Sequence, residues 1–230
     1  MKKLIAWSLL ILGATVLTGC DVGINTDGLS IGGNSNSIIR GTGNLVETDF
    51  DIDAYTEVKI DGAFQVIWRE SDEFLVTVET SENLLEHLEI QVDNGVLLIT
   101  SRRGIGINWG ESRIYLFSPS LEALNVQGAV TAKNWDTIRS ERFAIEVAGA
   151  ASVDLDLEVD VVEVNVAGAG DLSLLGSIQT ADISIAGAGN IDIDVIGSLS
   201  VEIAGTGSVT YGGNPTVTRT ILGIGTVGQR

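Results

Sequence analysis

The chain has one cysteine and one histidine among 230 residues, and aromatic side chains make up only 5% of it. With Cys20 as the sole thiol no internal disulfide can form, so stability must come from packing. His87, flanked by Glu86 and Glu89, cannot be built with any neighbour into a metal set or a Ser-His-Asp triad, and it reads as a solvated surface residue. Basic residues are also scarce, with 13 Lys and Arg against 31 Asp and Glu and a formal net charge of −18. That balance excludes nucleic acid as a partner, and it excludes adsorption to anionic lipid through a basic face. Hydrophobic residues make up 44% of the chain, mostly Val, Ile, Leu and Ala, which is core material suited to strands.

The one long apolar run lies at the start. Met1-Lys2-Lys3 precedes an apolar stretch from Leu4 to Leu17, too short for a spanning helix and typical of a secretory signal. It closes on Leu17-Thr18-Gly19-Cys20, which resembles a bacterial lipobox. The expectation is a leader over 1–19, removed before an acylated Cys20 that holds the chain to a membrane by its lipid. Loss of Lys2 and Lys3 takes the formal charge from −18 to −20. Inner and outer membrane, periplasm-facing and surface-facing, all remain open. From Asp21 to Ser37 the chain is rich in Gly, Asn, Ser and Asp and reads as a flexible tether, giving 20–37 as linker and 38–230 as one folded domain.

A short phrase recurs through the second half. It runs Gly128-Ala129-Val130-Thr131, Gly149-Ala150-Ala151-Ser152, Gly168-Ala169-Gly170-Asp171, Gly187-Ala188-Gly189-Asn190, Gly205-Thr206-Gly207-Ser208 and Gly223-Ile224-Gly225-Thr226. The leading glycines are 21, 19, 19, 18 and 18 residues apart. A period of that length marks stacked coils, each burying its apolar side only against its neighbours.

The flanks obey a period of two. Two before the glycine stand Val126, Val147, Val166, Ile185, Ile203 and Ile221; four after stand Ala132, Val153, Leu172, Ile191, Val209 and Val227. Two strands per repeat, hinged at the glycine, satisfy these columns. The glycine can adopt positive φ at no steric cost and its bare backbone allows close approach between coils, and the short polar residue three after it forms a ladder capping that corner. Gly41 and Gly62, 21 residues apart, carry the same grammar. The 66 residues from Gly62 to Gly128 leave room for two degenerate coils. The predicted fold is all-β, a right-handed parallel β-helix with coils of about 18–22 residues; an up-and-down barrel or sandwich is the alternative. Arg219 and Gln229 interrupt apolar columns, as a C-terminal cap would.

The run from Gly41 to Val227, with phrases such as Val164-Asn165-Val166-Ala167-Gly168-Ala169-Gly170-Asp171-Leu172 and the close Val209-Thr210-Tyr211-Gly212-Gly213-Asn214-Pro215, resembles the auto-transporter adhesin head GIN domain family. The resemblance implies a right-handed β-helix of bacterial envelope proteins and carries no catalytic residues. No C-terminal barrel segment accompanies it.

Candidate chemistry is sparse. The column Ser152, Asp171, Asn190, Ser208 lacks the successive aspartates of calcium-binding repeats. Asp154 and Asp156, with Asp192 and Asp194, form acidic stretches in which Arg219 and Arg230 are the only basic residues after Gly149. That pattern fits weak divalent-ion binding better than a polysaccharide lyase. Of Trp68, Trp109 and Trp135, flat rings suited to sugar faces, Trp68 falls on an inward column and reads as core. Trp109, beside Gly110 in the glycine-rich stretch 101–112, is expected in a protruding contact loop with Arg102 and Arg103. The functional expectation is a non-catalytic, lipid-anchored envelope protein, adhesin-like in binding or scaffolding, with no cofactor. Its partners are a membrane through Cys20 and an envelope protein or glycan. A polysaccharide-binding or polysaccharide-cleaving β-helix and a self-assembling structural element are the alternatives.

Overall fold

The computed structural model describes residues 38–102 and 106–230, together with the backbone of a small antiparallel pair, Ile24–Asn25 with Gly28–Leu29. Cys20, the leader and the side chains of the 20–37 tether lie outside the described residues, as does Arg103.

Residues 38–230 form a β-solenoid of about six turns. Each turn contributes one strand to each of two walls. The first wall runs Ala63–Glu70, Ala129–Asn134, the first part of Ala150–Val166, the first part of Ala169–Ile185, Ala188–Asp194, Thr206–Gly212 and Ile224–Gln229, every pair parallel. The second runs Glu57–Asp61, Ala123–Val126, the end of Ile138–Val147, the ends of Ala150–Val166 and Ala169–Ile185, Ser198–Ile203 and Thr216–Ile221, again all parallel.

The long strand Ala150–Val166 shows how one segment serves both walls. Its buried residues alternate through Val153, Leu155, Leu157 and Val159, then skip to Val162, Val164 and Val166. The parity slips at Asp160, the one residue of the strand left out of the pairing with Ala169–Ile185, so this is the second corner. The inward columns from both walls merge into one core. Val126, Val147, Val166, Ile185 and Ile203 are each at most 1% exposed, as their spacing predicts.

At the glycine corner, close approach is what requires glycine. None of Gly128, Gly149, Gly168, Gly187, Gly205 or Gly223 has positive φ. A Cβ on any of them would fall closer than 3.0 Å to the carbonyl oxygen of the corner glycine one coil earlier. That carbonyl accepts the next coil's first strand N–H, as when Ala169 N donates to Gly149 O at 2.9 Å. The carbonyl two before the glycine accepts two N–H groups from the next coil. Val147 O, for instance, receives Ala167 N at 2.9 Å and Gly168 N at 3.0 Å. The backbone thus satisfies its own corner. The polar column contributes little of the expected capping, since only Ser208 and Thr226 hydrogen-bond along it, at 3.1 Å.

The N-terminal half departs from the predicted coils. Glu57–Asp61 and Ala63–Glu70 pair directly with Ala123–Val126 and Ala129–Asn134, so Gly62 is a true corner stacked beneath Gly128. The 66-residue interval adds no coil between Gly62 and Gly128, but it supplies one degenerate coil on the other side of Gly62, where Val96–Ser101 and Arg113–Ser118 stack in parallel on Glu57–Asp61 and Ala63–Glu70. Leu75–Ser81 and then Leu45–Asp51 extend the Arg113–Ser118 wall antiparallel. Antiparallel Leu88–Asp93 extends the other. Gly41 is therefore not a coil corner. It approaches Ser81 instead, where an added Cβ would clash with the hydroxyl. The one helical turn among the described residues, Glu82–Leu85, buries Leu84.

His87 follows that turn and is buried, at 8% exposure, contrary to the surface expectation. Its N–H donates to Leu84 O at 3.0 Å, its carbonyl accepts Arg102 N at 2.8 Å, and its Nδ1 has no partner. At the C-terminal end the last strands pair on one side only. Arg219, on an inward column, donates there to Val227 O at 3.1 Å.

Gly168→Ala should cost at least about 3 kcal/mol, because backbone opposes the added methyl, and thermal melts should fall by roughly 6–12 °C. Gly228→Ala, with nothing within 4 Å of its added carbon, should stay within about 0.5 kcal/mol. A second test uses Tyr55, which is 1% exposed. Burial pushes its phenol up to about 12 from its ordinary 10.0, with a smaller lowering from the Ser118 hydroxyl. The unfolded chain ionises first, so this stabilisation is complete below pH 10 and is lost as pH rises from 10 towards 12, by about 3 kcal/mol at most. Denaturant melts of Tyr55→Phe should lack that part of the alkaline fall.

Candidate binding surface

The tryptophans sort differently from their expected roles. Trp68 is core as predicted, 3% exposed, and its Nε1 donates to Ser118 Oγ at 2.9 Å. Trp109 is buried too, at 4%, which corrects its placement as a protruding contact. The inward column two after the corner glycine shows why. It shrinks along the solenoid through Phe64, Val130, Ala151 and then Gly170, Gly189 and Gly207. Its widest member, Phe64, sits in the first coil, and the Trp109 ring packs against it with centroids 4.8 Å apart. Trp109 Nε1 donates to Ser101 Oγ at 3.0 Å, and its carbonyl accepts Ser112 N at 3.1 Å. Trp109 thus plugs the end of the core. Arg102 is exposed, but the indole it was to assist faces inward.

The acidic stretches are also differently partnered. Arg230 folds back onto Asp192, at 3.3 Å, and onto Asp194, so a basic residue does reach these acids. Asp156 accepts Thr137 Oγ1 at 3.0 Å. Among the described residues, no three His, Cys, Asp or Glu side chains converge as metal ligands. A shallow groove of about 890 Å³ runs along the outer corner over Ala150, Ala169, Ala188, Ser152, Asp171 and Asn190.

The outward face of the first wall carries one aromatic cluster, and its origin is a length mismatch. Lys133 pairs with Asp154 and Ile138 with Leu157, so four residues of the earlier coil oppose two of the later one. The two surplus residues of the 21-residue spacing are accommodated here, as a bulge around Trp135. Asn134 bridges the mismatch with its side-chain amide. Its Nδ2 donates to Asp156 O at 2.8 Å, and its Oδ1 accepts Asp156 N at 3.0 Å, in place of a strand partner. On the other side Trp135 N donates to Trp68 O at 3.1 Å.

Trp135 is 59% exposed. Its ring reaches across the strand Ala63–Glu70 to Tyr115, with centroids 6.0 Å apart and planes at 56°. Ile67 lies between them in register, opposite Tyr115 on one side and Lys133 on the other. Ile67 is only 4% exposed although it points away from the core, because these side chains cover it. The Arg69 guanidinium carbon stands 5.6 Å from the Trp135 ring centroid, and Arg69 Nε is 3.7 Å from Asp136 Oδ2. Arg139 continues the rim, 3.5 Å from Glu70 and 3.1 Å from Glu158. The arrangement can stack a flat apolar face and offer paired donors and acceptors beside it.

A family model described as "Putative auto-transporter adhesin, head GIN domain" matches residues 54–227. The chain belongs to this adhesin head-domain family. Three solved structures share the family's fold with it. One, described as a putative adhesin from Bacteroides fragilis, is 19% identical with a TM-score of 0.74, over 84% of this chain and 100% of that one. A putative adhesin from Parabacteroides distasonis is 22% identical with a TM-score of 0.56, over 84% and 99%. A protein from the same organism described as a putative lipid binding protein is 18% identical with a TM-score of 0.54, over 84% and 99%. At these identities the likeness shows fold alone. No curated protein matches the chain in direct sequence comparison. Among the described residues of this adhesin-family chain, no helix is long and apolar enough to cross a membrane.

The burial difference predicts a spectroscopic one. In the chain without its leader, Trp135→Phe should remove most of the red-shifted, acrylamide-quenchable emission while changing stability by less than about 1 kcal/mol. Trp109→Ala should instead destabilise by about 3–5 kcal/mol in denaturant melts.

Proposed function

We propose that this chain is a non-catalytic, lipid-anchored envelope protein of adhesive type. Acylated Cys20 holds it to the membrane, the segment to Ser37 spaces it from the surface, and the solenoid presents its first wall for binding. The observation that supports this reading is the exposed Trp135 cluster on the outer face of a body with a filled core. Large aromatic side chains flanked by arginine are the usual anchors of binding surfaces. Family membership adds the adhesin context, and the acidic surface suits a body kept away from anionic lipid.

Cys20→Ser should abolish incorporation of a palmitate analogue and move the protein from the membrane fraction to the soluble one. The mature protein, purified in detergent and coated on beads, should hold the beads to isolated envelope or to cells. Retention no greater than that of uncoated beads would overturn the adhesive reading.

A further inference from the structure

The ligand class of the Trp135 surface follows from its chemistry. We infer that Trp135, Tyr115 and the Arg69–Asp136 pair form a subsite for one neutral pyranose unit of a glycan chain. The inference rests on the adhesive reading and names its ligand.

Three observations on the outer face converge. The first is the exposed ring itself. Trp135 lies outside the core and, although it helps cover Ile67, more than half of it stays in solvent beside the partly exposed Tyr115, an aromatic surface that marks an interaction site. An indole face matches the apolar C–H face of a pyranose in size and flatness, and Tyr115, tilted beside it, makes a shallow corner into which such a ring fits. The second is the rim. Arg69 and Asp136 place a planar fork of donors next to a carboxylate acceptor at the ring's edge, a combination that vicinal hydroxyls can satisfy from both sides. The pairs on this rim are half-exposed surface ion pairs, worth about 0–1 kcal/mol each to stability, so fold stability does not account for them. The third is the bulge. The two surplus residues of the coil turn Trp135 outward over the neighbouring strands, and bulges recur where a side chain must be re-aimed at a site.

Charge selects a neutral sugar. Arg69 is matched by Asp136, and Arg139 by Glu70 and Glu158, leaving Lys133 as the only cation of this patch without a carboxylate partner. On a chain of net charge −18 that is too little to hold a uronate, a phosphate or an anionic membrane. One stacked unit gives weak binding, on the order of a millimolar, so adhesion would come from many anchored copies engaging one glycan surface.

The test titrates mature protein, in detergent, with cello-, manno-, malto- and N-acetylchito-oligosaccharides. Trp135 fluorescence and calorimetry are the readouts. Oligogalacturonate and anionic phosphatidylglycerol vesicles are the comparison arms. At least one neutral oligosaccharide should bind, Trp135→Ala should weaken it at least tenfold with a melting curve lowered by no more than about 4 °C, and Trp135→Tyr should recover most of the loss. Absence of binding across the neutral panel, binding undiminished in Trp135→Ala, or Trp135-dependent binding confined to oligogalacturonate or vesicles would each overturn the pyranose subsite. Beads that adhere equally well with and without Trp135 would remove this subsite and leave the adhesive reading standing.

Discussion

The solenoid depends on one contact, the bare Cα of each corner glycine lying against the carbonyl oxygen of the corner glycine one coil earlier. A side chain there would meet backbone that cannot yield, so the column Gly128, Gly149, Gly168, Gly187, Gly205, Gly223 admits nothing larger; at Gly62, which starts the column, an added carbon would meet the Phe64 ring and the Ser101 hydroxyl instead. Once these corners are stacked, backbone hydrogen bonds set the register of both walls, and the period of two decides which side chains enter the core. Coil length is then free to vary only away from the glycine. The 18-residue coils drop a residue at the second corner, where Leu174 pairs with Ile193 but Thr180 with Ser198. The 21-residue coil instead gains two residues around Trp135.

Stacked parallel coils leave open ends, and the two ends are managed differently. At the first coil the walls are prolonged by antiparallel strands, and Trp109 closes the space above Phe64 where the tapering core is widest. Tyr55 seals the adjoining side, its hydroxyl donating to Phe117 O at 3.2 Å and its ring edge-on to Phe74. At the last coil a charged side chain occupies an inward column and Arg230 folds back over the preceding acids. Charge on an edge discourages further strand addition. Trp109 and the terminal arginines thus belong to closing the body.

The binding surface arises from the same rule that builds the core. Because neighbouring strands align in register, Ile67, Tyr115 and Lys133 meet on the outer face although they lie far apart in the chain. The bulge then swings Trp135 across them. A filled solenoid offers chemistry only on its outside, and here it concentrates exposed aromatic area, an arginine and a carboxylate at one point on the first wall.

The repeat was legible in the residues alone, because a coil's contacts repeat at a fixed spacing and each column names its own neighbours. From Gly128 onward the corners and parallel pairing follow from that arithmetic, and so do the inward columns up to the open last coil, where Arg219 and Ile221 are exposed; so too does buried Trp68, six after Gly62. The same count places Trp135, seven after Gly128, on the outward parity, and the spacing of 21 against 19 marks the coil with residues to spare. Periodicity could not place the strands between Gly62 and Gly128, since two of them form a coil stacked on the far side of Gly62 and the others pair antiparallel, which carries no fixed spacing, and Gly41 imitated a corner only by its local phrase. Nor could it tell that the Trp109 ring folds inward rather than protruding, or foresee that His87 would be enclosed. Those outcomes turn on which volume is left open at the end of the stack, and only the assembled walls define that volume.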